Sequence, residues 1–245
     1  MFRAFEVPWR VLWRGAWSRR RSDAGLRIAL VGLTTMLAFC GCGYLLVGRG
    51  LGLELEGRWT PISWIDRAIP AWPPALLPYF SFYLVFCYVA VRAMRGSDAA
   101  RREWMLLCQT TVLVTAISFV LFVLFPCEVQ GRAELQEAAS GVWRAMVDAL
   151  HVLDAPTNAW PSLHISLSLL HFLWIDARTR ERSLRSLHLV WFVLLSASVL
   201  LTKQHYVFDF VTGSLLAIVL WCRQLRPALR RLRANATLFD ERLAV

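Results

Sequence analysis

Six apolar runs, each close to the length of a membrane crossing, are the feature that most constrains the fold of this chain. Hydrophobic residues make up 57% of its 245 residues, against about 45–50% in ordinary globular domains. A helix needs roughly 20 apolar residues to span a bilayer, so the runs predict an all-α, polytopic membrane helix bundle with six transmembrane spans. The first run is longer than a signal-peptide core of about 7–15 residues and is interpreted as an uncleaved span. The predicted spans are residues 26–48, 75–94, 104–125, 161–176, 185–202 and 205–222.

The distribution of positive charge predicts which way the bundle faces. The formal net charge is +10, and Lys203 is the only lysine. Arginines are concentrated in the two terminal segments and in the loops 95–102 and 177–185, whereas the loops 49–75 and 127–159 carry few. Cytoplasmic loops are enriched in Arg and Lys, so both termini are predicted to be cytoplasmic. Because the arginines gather at span ends, the charge indicates contact with anionic lipid rather than with nucleic acid.

The chain is predicted to have one membrane domain with two basic flanks. Residues 1–25 combine aromatic and arginine residues at helical spacing, which predicts an amphipathic segment lying in the membrane interface. Residues 26–222 would form the six-span catalytic domain, and residues 223–245 a basic cytoplasmic tail. Within the polar stretch 127–159, an apolar stripe predicts one short surface helix over the site. The stripe consists of Leu135, Val142, Met146 and Leu150.

Two histidines, His164 and His205, stand at the ends of apolar runs. They are 41 positions apart, which is about the length of two successive membrane spans. Both are therefore predicted to lie at the same membrane face. His205 and Asp209 are four residues apart and share one helix face. A carboxylate there can accept a hydrogen bond from one imidazole nitrogen and leave the other free to attack. The alternative for this pair is an interfacial helix cap without a catalytic function.

The segment before His164 predicts an anion site. Pro161 suits the first turn of a helix, where its missing N–H costs nothing. Ser162 would then present a hydroxyl and a backbone N–H at the positive end of that helix, and helix N-termini bind anions. As a lone histidine, His164 would more simply be a packing residue; beside His205 it becomes a candidate proton donor. His171, two turns further on, is interpreted as a packing histidine, and no role is assigned to His151 and His188.

The combination predicts metal-independent phosphoryl transfer. One histidine can attack phosphorus while the second protonates the leaving oxygen. Lys203 and Arg132 can neutralise charge on the phosphoryl oxygens. No acidic cluster indicates magnesium, no GxxxxGK(S/T) loop indicates a nucleotide donor, and no CxxC pair indicates a zinc or disulfide framework. No metal and no cofactor are therefore expected.

Two segments of the chain resemble the motifs of a known family. They are Asn158–His164, with the sequence Asn-Ala-Trp-Pro-Ser-Leu-His, and Thr202–Asp209, with the sequence Thr-Lys-Gln-His-Tyr-Val-Phe-Asp, followed by Gly213. The sequence resembles the type 2 phosphatidic acid phosphatase superfamily, and is most similar to its branch of inositol phosphorylceramide synthases and sphingomyelin synthases. The six-span layout is similar as well. The motifs cover about 55 residues, and the layout covers most of the chain.

The resemblance implies a role for each histidine. It maps the nucleophile onto His205, its orienting carboxylate onto Asp209 and the acid for the leaving group onto His164. The chain departs from the wider superfamily where Leu163 replaces a glycine and where Val199 replaces an arginine. The usual first motif, a lysine followed by Arg-Pro, is missing. Its loose counterpart is Phe125-Pro126 followed by Arg132.

The predicted function is hydrolysis of a membrane lipid phosphate through a phosphohistidine, at the outer face of the cell inner membrane. The alternative within the same chemistry is a headgroup phosphotransferase, similar to inositol phosphorylceramide synthase, in which an alcohol replaces water. A transporter is disfavoured because the ionisable residues cluster at one face. A non-enzymatic scaffold is disfavoured because His164, His205 and Asp209 are all present. The identity of the lipid and the oligomeric state stay open.

Overall fold

The computed structural model describes residues 3–50, 59–154 and 156–244, and within these ranges the chain is all-helical, without a β-strand. This confirms the all-α part of the prediction. Some helices include tighter or wider turns, such as the π-helical Leu37–Cys42. The main helices are α1 (Arg10–Ser18), α2 (Leu26–Gly48), α3 (Trp64–Ala68), α4 (Pro73–Met94), α5 (Asp98–Leu124), α6 (Arg132–Ala138), α7 (Gly141–Leu153), α8 (Leu163–Asp176), α9 (Arg182–Leu201), α10 (Val207–Ala234) and α11 (Ala236–Ala244).

Five of the described helices, α2, α4, α5, α9 and α10, are long and apolar enough to cross a membrane. Their length and composition indicate a membrane protein. The predicted fourth span differs from them, because α8 has 14 residues and reaches only about 21 Å at 1.5 Å per residue. The hydrocarbon core of a bilayer is about 30 Å thick. In place of a sixth full-length span, the described residues contain this shorter apolar helix, packed against α5, α9 and α10.

The N-terminal segment packs on the bundle. Gln109, buried within α5, accepts hydrogen bonds through Oε1 from the Trp9 N–H and the Trp13 Nε1–H, both at 3.0 Å. Its Nε2 donates to the Val7 carbonyl at 2.7 Å. These contacts satisfy an amide that would be costly to bury alone. The Trp13 ring is fully buried in protein, so one face of this segment packs on the bundle, and its location in the membrane interface stays a prediction.

The last span continues past its predicted end. The expected boundary at residue 222 falls inside α10, and Leu229, in the predicted tail, is buried. Glu103 of α5, only 3% exposed, pairs with Arg233 at 3.0 Å and also with Arg178. The beginning of the predicted basic tail is therefore part of the packed bundle. This arginine-rich end lies at the start of α5.

The opposite end of the bundle is covered by irregular segments, one before α3 and two after α5. The Glu128 N–H donates to the Trp59 carbonyl at 3.1 Å, and the Val129 N–H donates to the Pro156 carbonyl at 2.9 Å. These backbone bonds tie three separate segments into one cover. Part of the predicted loop at 49–75, residues 51–58, lies outside the described residues.

The cover also contains α6 and α7, where the sequence predicts one short helix. Leu135 and Leu150 are buried, as the predicted stripe requires. Val142 is 67% exposed, and Val147 is buried in its place. The reason is the break between the two helices, which shifts the helical phase of the second one relative to the first.

Helices α8 and α10 approach each other closely at Gly213. A Cβ at this position would lie 2.7 Å from the Ser162 carbonyl oxygen and 3.2 Å from the Ser166 hydroxyl. Only a residue without a side chain permits this approach. The contact brings the first turn of α8, which carries His164, against the first turns of α10, which follow His205.

We expect Gly213→Ala to separate α8 from α10 and to lower both thermal stability and turnover. Backbone lies within 3 Å of the added methyl group, so the helices must move; overpacking of this kind costs typically about 1–3 kcal/mol. Thermal unfolding in detergent and turnover of the same preparation measure the two effects. Gly41 of α2, where no heavy atom lies within 4 Å of an added Cβ, is the matched site for the stability measurement. Equal stability of the two alanine variants would contradict this account of Gly213.

Candidate active site

His205 lies in a strained turn between α9 and α10. The turn is closed by the His205 N–H, which donates to the Val199 carbonyl at 3.2 Å. Lys203, two residues before His205, adopts φ 53°, a left-handed conformation that costs on the order of 1–3 kcal/mol in a residue with a side chain. Strain of this kind persists only where the surrounding structure imposes it.

The His205 ring is oriented by a backbone carbonyl. Its Nδ1 lies 3.1 Å from the Ala159 carbonyl oxygen and 3.8 Å from Asp209 Oδ2. The predicted direct hydrogen bond from Nδ1 to the carboxylate is therefore replaced by one to Ala159. A proton on Nδ1 leaves Nε2 with its lone pair, which is the form needed for attack. The carboxylate remains near enough to stabilise positive charge on the ring.

Asp209 connects the two helices of the site. Its Oδ2 accepts the Tyr206 N–H at 2.8 Å at the start of α10, and its backbone carbonyl accepts the Ser162 N–H at 3.2 Å. The residue is fully buried, and no hydrogen-bond partner of Oδ1 is found among the described residues. Asp209 thus has a capping role and an electrostatic role at once.

His164 faces His205 across the end of a cavity. The two ring centroids are 5.8 Å apart, and the rings meet edge to face. The His164 ring lies against Tyr79, with centroids 4.3 Å apart, and against Phe82, with centroids 4.6 Å apart. Its Nε2 is buried and has no hydrogen-bond partner among the described residues. The structure therefore brings together the two histidines that the sequence places at one face.

The cavity has a volume of about 340 Å³ and is lined mainly by apolar side chains of α2, α4 and α8. It follows α2 from Leu45 to Leu33, a distance of about 18 Å along a helix. Its polar groups include His164 and His205, together with Asp154. The π-helical turn of α2 forms part of its wall, and such turns often occur at functional sites. An apolar slot with two imidazoles is suited to a ligand that has a hydrocarbon part and a polar head.

The three residues predicted to bind phosphate are engaged within the protein. Helix α8 begins at Leu163, so Pro161 precedes the helix instead of occupying its first turn, and Ser162 is the N-cap. The Ser162 hydroxyl accepts the Ile165 N–H at 3.3 Å, while its own N–H is bonded to Asp209. The Ser162 hydroxyl is only an acceptor in this cap, so its own proton is still available to donate to a phosphate oxygen.

Lys203 and Arg132 have internal partners as well. The Lys203 amine donates to the Asp66 carbonyl at 3.1 Å and pairs with Glu134 at 2.9 Å, in a small polar cavity that His205 also lines. Arg132 donates to the Asp154 carbonyl at 2.8 Å, and its second nitrogen lies 3.5 Å from the Asp154 carboxylate. Lys203 therefore borders His205 directly, whereas Arg132 is joined to the main cavity through Asp154.

Sequence reasoning missed three polar residues of the site. Asp66 accepts the Val207 N–H at 2.7 Å and thereby fixes the start of α10; its signal was the capping pattern that begins at Ser63. Tyr79 and Asp154 belong to the cavity, and no spacing in the sequence connects them to the histidines.

A competing thiol nucleophile is disfavoured by burial. Cys127 is fully buried beneath the cover of the bundle, and this burial raises the pKa of its thiol well above the ordinary value. The thiolate is the reactive form of cysteine, so Cys127 stays protonated at neutral pH. Within the described ranges, no group of three or more His, Cys, Asp or Glu side chains is arranged to hold a metal ion.

Comparison with protein families identifies one relationship. The model of the PAP2 superfamily matches residues 63–223, about two thirds of the chain, and the match contains both histidines and Asp209. Comparison with the curated proteins returned no match, and comparison with the solved structures returned none either. PAP2 proteins are generally phosphatases or phosphotransferases. The extent of the match and the paired histidines beside the cavity show that this chain belongs to the PAP2 superfamily.

Proposed function

We propose that the protein hydrolyses a lipid phosphate in two steps. In the first, His205 Nε2 attacks phosphorus, a P–N bond forms, and the P–O bond to the lipid breaks while His164 gives a proton to the leaving oxygen. In the second, water gives a proton back to His164 and displaces the phosphoryl group from His205. The observation that carries this proposal is the pair of facing imidazoles at the polar part of an apolar cavity.

The apolar cavity supports a lipid as the substrate. Its wall along α2 is formed by side chains such as Leu33, Met36 and Leu37. These side chains cannot form the hydrogen bonds that a polar metabolite needs. Because these side chains are about as apolar as lipid tails, a hydrocarbon chain can pass from the bilayer into the cavity at little free-energy cost. The phosphate would then lie between His164 and His205, with Lys203 as the adjacent positive charge.

Headgroup transfer to an alcohol is the second candidate, as in the synthase-like branch that the motifs resemble. It is supported by the cover over the site, because His205 is 7% exposed and Asp209 is fully buried. Restricting water favours an ordered alcohol acceptor over hydrolysis. Both reactions share the first step, so they differ only in the acceptor that resolves the phosphohistidine.

The charge distribution supports an orientation with the histidines at the outer face of the inner membrane. The arginine-rich end of the bundle, where Arg178 and Arg233 meet Glu103, lies at the start of α5. The two histidines lie at the opposite end of the bundle. Arginine-rich ends face the cytoplasm in most membrane proteins. Cleavage of a membrane-impermeant phosphate ester by intact cells tests this orientation, and cleavage by broken cells alone would reverse it.

The direct test uses purified protein in detergent with a panel of lipid phosphates and phospholipids, in EDTA. We expect release of inorganic phosphate that EDTA does not reduce, because the proposed steps use imidazoles and no metal. Free phosphate and new lipid products are measured together, with and without an added alcohol such as inositol. A new headgroup-bearing lipid with little free phosphate would favour the transferase. Complete inhibition by EDTA, reversed by a divalent cation, would contradict the metal-independent mechanism.

A further inference from the structure

Asp154 is a buried acid that the proposed reaction does not use. It follows α7, is 8% exposed and lines the cavity together with the histidines. Its carboxylate accepts hydrogen bonds from Tyr44 and, at 3.5 Å, from the Tyr79 hydroxyl, and it is 3.5 Å from an Arg132 nitrogen. Burying a carboxylate is costly unless it is paired and hydrogen-bonded. Three partners converging on one carboxylate provide that compensation and fix its position beside Tyr79.

Tyr79 joins this carboxylate to His164. Its hydroxyl lies 3.5 Å from Asp154 Oδ2 and 3.4 Å from His164 Nδ1, and the residue is 1% exposed. A phenol has one proton to donate and can also accept. When it donates to Asp154, its oxygen can accept only from a protonated Nδ1. This arrangement leaves His164 Nε2, which is buried and without a partner among the described residues, as the nitrogen that faces the substrate.

We propose that Asp154 and Tyr79 are positioning residues for the proton donor: they hold Nδ1 of His164 protonated and stabilise its imidazolium. The inference rests on the proposed function. It adds a second set of orienting residues, which acts on His164 and is separate from the set that acts on His205. In the first step, the proton on His164 Nε2 passes to the leaving oxygen as the P–O bond breaks. The proton on His164 Nδ1, which faces the Tyr79 hydroxyl, stays in place in both steps. In the second step, the attacking water returns a proton to Nε2.

The two sets of orienting residues differ in how the carboxylate acts on its histidine. Asp209 is 3.8 Å from the His205 Nδ1 that it faces, whereas Asp154 acts through an intervening hydroxyl. Loss of the first should impair attack on every substrate. Loss of the second should matter only when the leaving group needs a proton, because a general acid contributes little to the departure of a stable anion.

The test compares two leaving groups in Tyr79→Phe. We expect a decrease of about 10–100-fold in hydrolysis of an alkyl lipid phosphate, with a change below about threefold in the initial burst of p-nitrophenolate from p-nitrophenyl phosphate. Asp154→Asn should show the same selectivity. Tyr88→Phe is the matched control, because Tyr88 is also on α4 and its hydroxyl also meets a histidine, His188 at 3.0 Å, away from the cavity.

The outcomes distinguish failure of the positioning role from failure of the proposed function. Equal losses on both substrates in a Tyr79→Phe protein that unfolds at the wild-type temperature would overturn the positioning role, as would full activity on the alkyl phosphate. Either result leaves phosphoryl transfer intact if His205→Asn abolishes the burst. A burst that persists in His205→Asn would overturn the proposed function, and this inference with it.

Discussion

Replacement of His205 by Asn is expected to lower turnover by at least about 10⁴-fold while the protein stays folded. In the proposed mechanism His205 is the nucleophile, and the loss of a nucleophile or its base removes nearly all catalysis in comparable two-step enzymes. Asparagine can still donate from its amide to the Ala159 carbonyl that the His205 Nδ1 faces at 3.1 Å. The substitution therefore removes the reactive nitrogen with little disturbance of the turn.

Three measurements on one preparation check this expectation. Phosphate release gives turnover, thermal unfolding in detergent reports the fold, and trapping of an acid-labile phosphoenzyme reports the intermediate. His188→Asn is the matched control, because the His188 ring is hydrogen-bonded to the Tyr88 hydroxyl and lies outside the cavity. A labelled phosphoenzyme in the His205 variant would show that another residue is the nucleophile.

Replacement of Asp209 by Asn is expected to lower turnover by about 10²–10⁴-fold, since removal of the orienting carboxylate in a comparable triad costs about 10⁴-fold. The amide oxygen of asparagine can still accept the Tyr206 N–H that Asp209 binds at 2.8 Å, so the cap of α10 is kept. What is lost is the negative charge 3.8 Å from His205 Nδ1. The expected loss is therefore in kcat, with little change in thermal stability.

Asp209→Ala separates the two roles of this residue. It removes the charge and also the cap, and loss of an N-terminal cap costs about 0.5–2 kcal/mol of stability. We expect both variants to be slow and only the alanine variant to unfold at a clearly lower temperature. An asparagine variant with more than about a tenth of wild-type turnover would show that the charge of Asp209 is not needed.

The sequence was sufficient for the parts of the fold that follow from local patterns. Apolar runs predicted the helical membrane bundle, and the separation of His164 and His205 predicted a shared face. The predicted bounds of α8, 161–176, differ from the observed Leu163–Asp176 only at the start, where Ser162 is the N-cap. The sequence was insufficient for the N-terminal segment, since nothing local connects Trp13 with Gln109, 96 positions away.

The same distinction applies to the site. The sequence predicts that His205 and Asp209 share one helix face, and this is wrong, because α10 begins at Val207 and His205 lies in the turn before it. The turn still leaves His205 Nδ1 3.8 Å from Asp209 Oδ2. The partners of His164 depend on tertiary packing, which brings together Tyr79 of α4 and Asp154 after α7. Ser162, Lys203 and Arg132 were chosen for their chemistry alone, and the structure adds that each already has an internal partner.

The wall of the cavity along α2 has a consequence for how this protein could diversify. Leu33 to Leu45 line the cavity but precede the part of the chain that matches the PAP2 superfamily, which begins at residue 63. The reactive groups and much of the surface available to a hydrocarbon chain are thus encoded in separate stretches. Under the proposed function, substitutions along α2 would change which hydrocarbon chain the cavity accepts without altering His164 or His205.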